Sequence, residues 1–195
     1  SLSVTQTFKQ KTGASSYTLA GLYETVEAYS VFRFPVHKVR RDNVIGAYVS
    51  FDIEDTWREG DAEFSVYDTF VDWSDSTRLD PDLFLPGLGA PLATVGDTTT
   101  SISQLTFTID HELIKAWGDE GALLLMNSDT GSSMVRVLSD DTNYPPILYL
   151  VKQIQEGLVD TSTVVCSDAA YFMNADIAEG VPLLSSGDGA GYVLS

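Results

Sequence analysis

At 195 residues the chain has the length of one domain with an added segment, and its 44% hydrophobic and 20% charged residues are ordinary globular usage rather than that of a disordered chain. Its 28 acidic against 11 basic residues leave a net charge of −17, which argues against nucleic-acid and anionic-membrane partners, since both are held by Lys and Arg. No apolar run approaches the ~18–20 residues that span a bilayer, so no membrane insertion is expected.

The N-terminus, Ser1-Leu2-Ser3-Val4-Thr5, shows no basic stretch followed by an apolar core, and no signal peptide is visible in it. Ser30–Val36 reads as a strand. In residues 44–53, Ile45, Ala47, Val49, Phe51 and Ile53 fall on one face and Tyr48, Ser50 and Asp52 on the other, the period-2 pattern of a half-buried strand. Residues 62–71 repeat it, with Ala62, Phe64, Val66 and Phe70 against Ser65, Tyr67 and Thr69. Arg58-Glu59-Gly60-Asp61 between them reads as a hairpin connection, which predicts that the two strands are antiparallel neighbours. Residues 72–100 form a long stretch rich in Asp, Pro, Gly and Thr, a length that implies a functional loop or short elements of its own.

Ile102–Ile109 is the next strand, followed by the one helix of the reading: Asp110 caps His111–Trp117, Leu113, Ile114 and Trp117 share a face, and Gly118 ends it. Trp117 is expected in the core. Further strands follow at Ala122–Asn127, Met134–Leu138 and Ile147–Lys152, with Asp129-Thr130-Gly131-Ser132 as a turn and Pro145-Pro146 just ahead of the last strand. Beyond Lys152 the texture changes to small residues, two β-like runs (Thr163–Cys166 and Tyr171–Met173) and a Gly-rich end over residues 185–191. The division expected is a β-sandwich domain over 1–152 and a C-terminal arm over 153–195 that packs on the sandwich or on a neighbouring subunit. Cys166, the only cysteine, cannot form an internal disulfide, unlike the cysteines of a stapled secreted module. Short strands with frequent turns give an all-β sandwich or barrel.

The order of segments resembles that of DNRLRE-type domains, a group that includes polysaccharide-binding modules. Val31-Phe32-Arg33-Phe34-Pro35-Val36 is similar to the strand "L-R-F-D", Ile45-Gly46-Ala47-Tyr48-Val49-Ser50-Phe51 to "I-x-S-A-x-L-x-L", and Ala62–Trp73 to "V-x-V-Y-x-V-x-x-x-W". Phe107-Thr108-Ile109-Asp110 with Leu113, Trp117 and Gly121–Leu125 resembles "D-V-T…V-x-x-W…G-x-x-L", and Leu138–Asp141 with Pro145–Leu150 resembles the closing "S-x-E…P-x-L-x-V". The resemblance spans about residues 15–152. It implies an antiparallel jelly-roll-like β-sandwich whose members bind glycans or decorate larger surface proteins. The opening Asp-containing strand is poorly matched, the acidic pair at Asp140 is loose, and residues 153–195 have no counterpart.

Catalysis finds little support, because His37 and His111 have no nearby Ser or Cys in a nucleophile context, and the Gly-rich end lacks the Lys and helix of a phosphate loop. Asp52, Glu54 and Asp55, or Asp72 and Asp75 with Asp80 and Asp82, carry the hard oxygens calcium favours, yet none has the spacing of a known loop; a solvated acidic face is the expected reading, and no metal site or cofactor is assigned. For a glycan ligand the candidates are Trp57, Tyr67 and Trp73, since sugar C–H faces stack on exposed rings. The function expected is that of a non-catalytic structural or accessory protein of a large extracellular assembly, a virion decoration or surface protein foremost, with a glycan-binding-like sandwich. Its partners would be other subunits held through residues 153–195, and polysaccharide. The alternative is a secreted carbohydrate-binding module or adhesin domain.

Overall fold

The computed structural model describes residues 6–11, 16–23, 26–59, 62–69, 88–97, 102–128 and 132–176, of which 6–11, 58–59 and 172–176 are described by backbone alone. Among them run twelve strands: β1 (Gln6–Lys11), β2 (Tyr17–Tyr23), β3 (Val26–Phe34), β4 (Val44–Glu59), β5 (Ala62–Thr69), β6 (Ala93–Asp97), β7 (Gln104–Ile109), β8 (Gly121–Asn127), β9 (Ser132–Leu138), β10 (Ile147–Gln155), β11 (Leu158–Val165) and β12 (Asp168–Asp176). One α-helix, α1 (His111–Ala116), and a 3-10 turn at Val36–Lys38 interrupt them. Every strand pairing is antiparallel, and the fold is an all-β, sandwich-like curled sheet.

The long strand β4 makes the curl. Its first part pairs with β10 and β7, so that β11-β10-β4-β7 form one layer. Beyond the irregularity between Ile53 and Asp55, its second part pairs with β9. From there the other layer continues through β2, β3, β8, β5 and β6, while β12 joins β3 and carries β1. Such a bulge bends a strand and raises its local twist, which lets one segment serve two layers.

The main core lies where the layers meet. Ala47, Val49 and Phe51 of β4, Leu105 and Phe107 of β7, and Leu148 and Leu150 of β10 pack with Phe32 and Phe34 of β3, Phe64 and Val66 of β5, and Leu123 and Leu125 of β8. Phe51 joins them, with its ring centroid 4.8 Å from Phe32 and 6.0 Å from Phe107. Each fully buried side chain of this size contributes about 1.5–3 kcal/mol of transfer free energy. Two smaller clusters lie apart from this core, one around Tyr29, Val31 and Leu124, the other around Tyr17, Leu19 and Met134.

The helix forms as the sequence predicts at its start. Asp110 is extended, and its carboxylate accepts the Glu112 N–H at 2.9 Å. It ends one residue early, at a Trp117 C-cap rather than at Gly118. Ile114 is buried, while Leu113 and Trp117 are partly buried against the main core. The indole of Trp117 occupies the space a Cβ at Gly121 would take, 1.9 Å from the nearest ring atom, so only glycine fits there.

Two expectations are corrected. β4 and β5 do not pair: β4 takes β10, β7 and β9 as neighbours, and β5 takes β6 and β8. The expected pairing rests on the short polar connection at 58–61, and a short connection fixes which strand follows which along the chain, not which strands share a ladder. Ile45 is not inward but 47% exposed, with Val44 buried in its stead. The register between β10 and β4 shifts at this point, from Val151↔Gly46 to Lys152↔Val44, and the bulge reverses the face of each residue before it.

Strands absent from the sequence reading are β1, β2 and β6, the last lying inside the 72–100 stretch. Strand β10 runs through residue 152 to Gln155, β11 returns beside it, and β12 pairs with β3, so residues 153–176 belong to the same sheets. Phe70, the Gly60-Asp61 and 129–131 turn positions, residues 72–87 and 98–101, and the end from 177 lie outside the described residues.

Candidate ligand-binding face

Three aromatic residues are the sequence candidates. Trp57 sits inside β4, paired with Met134 and partly buried against the Tyr17 cluster. The Arg136 guanidinium lies over both the Trp57 ring (5.4 Å) and the Tyr17 ring (4.6 Å), and pairs with Glu54 at 3.6 Å. Tyr67, on β5, is partly buried against the other small cluster, beside Leu124. Trp73 lies outside the described residues. Trp57 and Tyr67 are thus in separate apolar clusters and do not converge on a common site.

A different pair of aromatic residues does converge. Inward residues of the β11-β10-β4-β7 layer are apolar, so alternation turns Tyr48 of β4 and Tyr149 of β10 to its outer face, directly opposite one another in register. Their rings stack, with centroids 4.6 Å apart and planes 11° from parallel, and both are partly exposed. Register then sets Thr163 beside Tyr149 and Thr108 beside Tyr48, giving the row Thr163-Tyr149-Tyr48-Thr108 across four strands. At the usual strand spacing this row is about 14 Å wide. Each ring faces the other on one side and a short, exposed threonine on the other.

The next rows add polar groups. Val165, Ile147, Ser50 and Thr106 form one, in which the Thr106 hydroxyl donates to the Ser50 Oγ at 3.4 Å. Gln104 and Asp52 follow, with the Gln104 amide donating to the Asp52 carboxylate at 3.1 Å. The result is an aromatic ridge flanked by hydroxyl, amide and carboxylate groups. Such a ridge can take apolar C–H surface against the ring faces and hydrogen bonds at its margins.

Of the carboxylates considered for calcium, Asp52 accepts from Gln104 on this face, Glu54 pairs with Arg136, and Asp55 accepts its neighbour's Thr56 N–H. No group of three metal-ligating side chains occurs among the described residues; Asp72, Asp75, Asp80 and Asp82 lie outside them. His37 is exposed, and its ring is 2.9 Å from the Asp119 carbonyl; His111 pairs with Glu112 at 3.1 Å. Cys166 is buried and free, its thiol donates to the Asp168 carbonyl at 3.2 Å, and burial pushes its pKa up, away from the reactive thiolate. No helix among the described residues is long and apolar enough to cross a membrane.

Tyr48 was legible in part: alternation already placed it on the polar face of its strand. Tyr149 alternates with Leu148 and Leu150 in the same way. What local pattern could not show is that the two strands are neighbours in the register that stacks these rings. Comparison with protein-family models and with curated protein sequences finds no match for the chain.

Proposed function

We propose that this chain is a non-catalytic binding subunit of a large extracellular assembly, a virus-particle decoration or surface protein being the leading case, that holds polysaccharide on the Tyr48–Tyr149 face. The observation that carries the reading is the stacked, partly exposed tyrosine pair on an open sheet face, bordered by Thr108, Thr163, Ser50, Gln104 and Asp52. Aromatic rings next to fixed hydroxyl and amide groups are the combination that sugars require, and an all-β sandwich presents them without a deep pocket. Membership in an assembly is supported by two features. The charge of −17 keeps the chain soluble when crowded, and the β10–β11 end leaves Ile154, Leu158 and Val159 exposed at 56%, 46% and 58%. The second reading, a free-standing secreted carbohydrate-binding module or adhesin domain, uses the same face without those contacts.

Affinity electrophoresis and calorimetry against neutral and acidic polysaccharides test the binding. Tyr48→Ala and Tyr149→Ala are each expected to weaken affinity about tenfold, or ~1.4 kcal/mol, with the fold intact by circular dichroism. Trp57→Ala and Tyr67→Ala should leave affinity within about twofold, because their rings belong to separate clusters. A wild-type protein that binds nothing in the panel, or a Tyr48→Ala variant that binds as wild type, overturns the assignment.

A further inference from the structure

We infer that strand β11 is a pairing edge for a second copy of this chain, joined antiparallel about a two-fold axis through Ser162. Among the described residues β11 pairs only with β10. It is eight residues long, contains neither Lys nor Pro, and carries Asp160 as its one charged residue. Natural edges are blunted by lysine, proline, bulges or shortness. The edge strand at the other side of this layer, β7, is shorter at six residues, and β6 is five residues long with Gly96 and Asp97 at its end. Val159 and Val165 are exposed at 58% and 47%, uncovered by the described residues.

Hydrogen-bond parity selects the register. The Cys166 N–H donates to the Pro146 carbonyl at 2.9 Å, next to the Ile147↔Val165 pair. In an antiparallel ladder bonded and non-bonded pairs alternate, so Val164, Ser162 and Asp160 bond to β10. The Gln153 N–H, which donates to the Asn43 carbonyl on the β4 side at 3.0 Å rather than to its partner Val159, agrees with this parity. The N–H and C=O groups of Val159, Thr161, Thr163 and Val165 therefore point out of the edge, where the Thr161 N–H donates to the Asp160 carboxylate at 2.8 Å within the monomer.

A two-fold axis perpendicular to the sheet requires residues on the same face to meet. With Ser162 opposite its own copy, Val159 meets Val165 of the second copy and Thr161 meets Thr163, each pair occurring twice. All of these are outward-bonding residues, so the contact forms about eight ladder hydrogen bonds, of which the two from the Thr161 N–H groups displace the Asp160 carboxylate. Like side chains meet like: the exposed valines cover one another, and paired threonines are a favourable cross-strand combination. Asp160 falls opposite Val164, so the two acidic groups are kept apart, which matters for a chain of net charge −17. This self-complementarity selects a second copy over an unrelated strand. Joining the edges would run the two outer faces into one continuous sheet, although the pairing does not depend on any ligand.

An interface of this size is small against the ~1,600 Å² of a standard complex, so a dissociation constant on the order of 10–100 μM is expected. Sedimentation velocity on the full chain from ~5 to ~500 μM should show monomer giving way to dimer. V159K/V165K, at two exposed positions, should abolish the dimer by setting lysine against lysine, and V159K/V165E should restore it by setting lysine against glutamate. Ser162→Cys should cross-link to a disulfide dimer under mild oxidation, and Thr161→Cys should do so much less. Amide exchange at Val159, Thr163 and Val165 should slow only at concentrations where dimer forms. A monomer at all concentrations, a dimer indifferent to V159K/V165K, or failure of V159K/V165E to restore it overturns the proposal. So does protection of those amides in dilute monomer, which would show that another segment of the same chain covers the edge.

Discussion

Asp140 illustrates how a single residue can be expensive where it sits. Its carboxyl lies in the turn between β9 and β10, half-buried, and its pKa is raised to about 6. Desolvation is the main cause, with the charges of Asp141 and Asp168 adding to it against opposing hydrogen bonds from the Asp140 and Ala169 N–H groups. The folded state therefore binds this proton more tightly than the unfolded chain, whose aspartates titrate near ~3.9. Its contribution to stability is fully present below that value and is lost as the pH rises through about 6. Asp140→Asn should remove this loss. Urea unfolding at pH 4 and pH 7 should show the variant gaining on the wild type by on the order of 1 kcal/mol at the higher pH, a figure reduced for solvent screening at a half-exposed site. An equal difference at both pH values would count against the assignment. The sequence shows Asp140 beside Asp141 but not the raised pKa, since that shift comes mainly from the chain packed around it.

Among the elements, α1 is too short to persist alone and is held at both ends. Asp110 caps its start, while Arg41, distant in sequence, closes its end: one guanidinium nitrogen donates to the Ile114 carbonyl at 2.8 Å and the Trp117 carbonyl at 2.6 Å, the other to the Gly118 carbonyl at 2.9 Å. A cation there also opposes the negative end of the helix dipole. Replacing Arg41 by Lys keeps the charge but loses the planar fork, and chemical denaturation should show a loss of about 1–2 kcal/mol. The cap at Asp110 was legible, because the capping residue and the apolar face are adjacent in sequence. The Arg41 closure was not, because its partners lie more than seventy residues away. Strand existence followed the same rule: alternation exposed β4, β5 and β7 and a continuous apolar run exposed β8, whereas the short β6 lay hidden within a Pro- and Gly-rich stretch.

For the molecule as a whole, charge is the widest-ranging influence. A net charge of −17 opposes compaction through self-repulsion; ion pairs such as Arg33 with Glu120 at 3.3 Å and Arg40 with Asp42 at 2.6 Å form, but 11 basic residues cannot offset 28 acidic ones. Added salt screens this repulsion over a Debye length of about 10 Å at 0.1 M. Calorimetry in 0.02–0.5 M NaCl at pH 7 should therefore show Tm rising by a few degrees; a Tm that falls would mean that specific ion pairs dominate.

By itself, the sequence determined the class: β alternation, turn residues and the Asp110 cap are local signals, so an all-β antiparallel sandwich with one short helix could be read from it. It also set the charge and the single cysteine, whereas the burial that makes Cys166 unreactive came from the fold. Only the tertiary structure decided which strands are neighbours, and with them the division of β4 between two layers, the stacking of Tyr48 on Tyr149 and the open edge of β11. The reason is physical. A strand's pattern of apolar side chains records which face is dry. The backbone hydrogen bonds that join it to its neighbours are alike at every residue, so the partner is selected by packing against side chains distant in sequence.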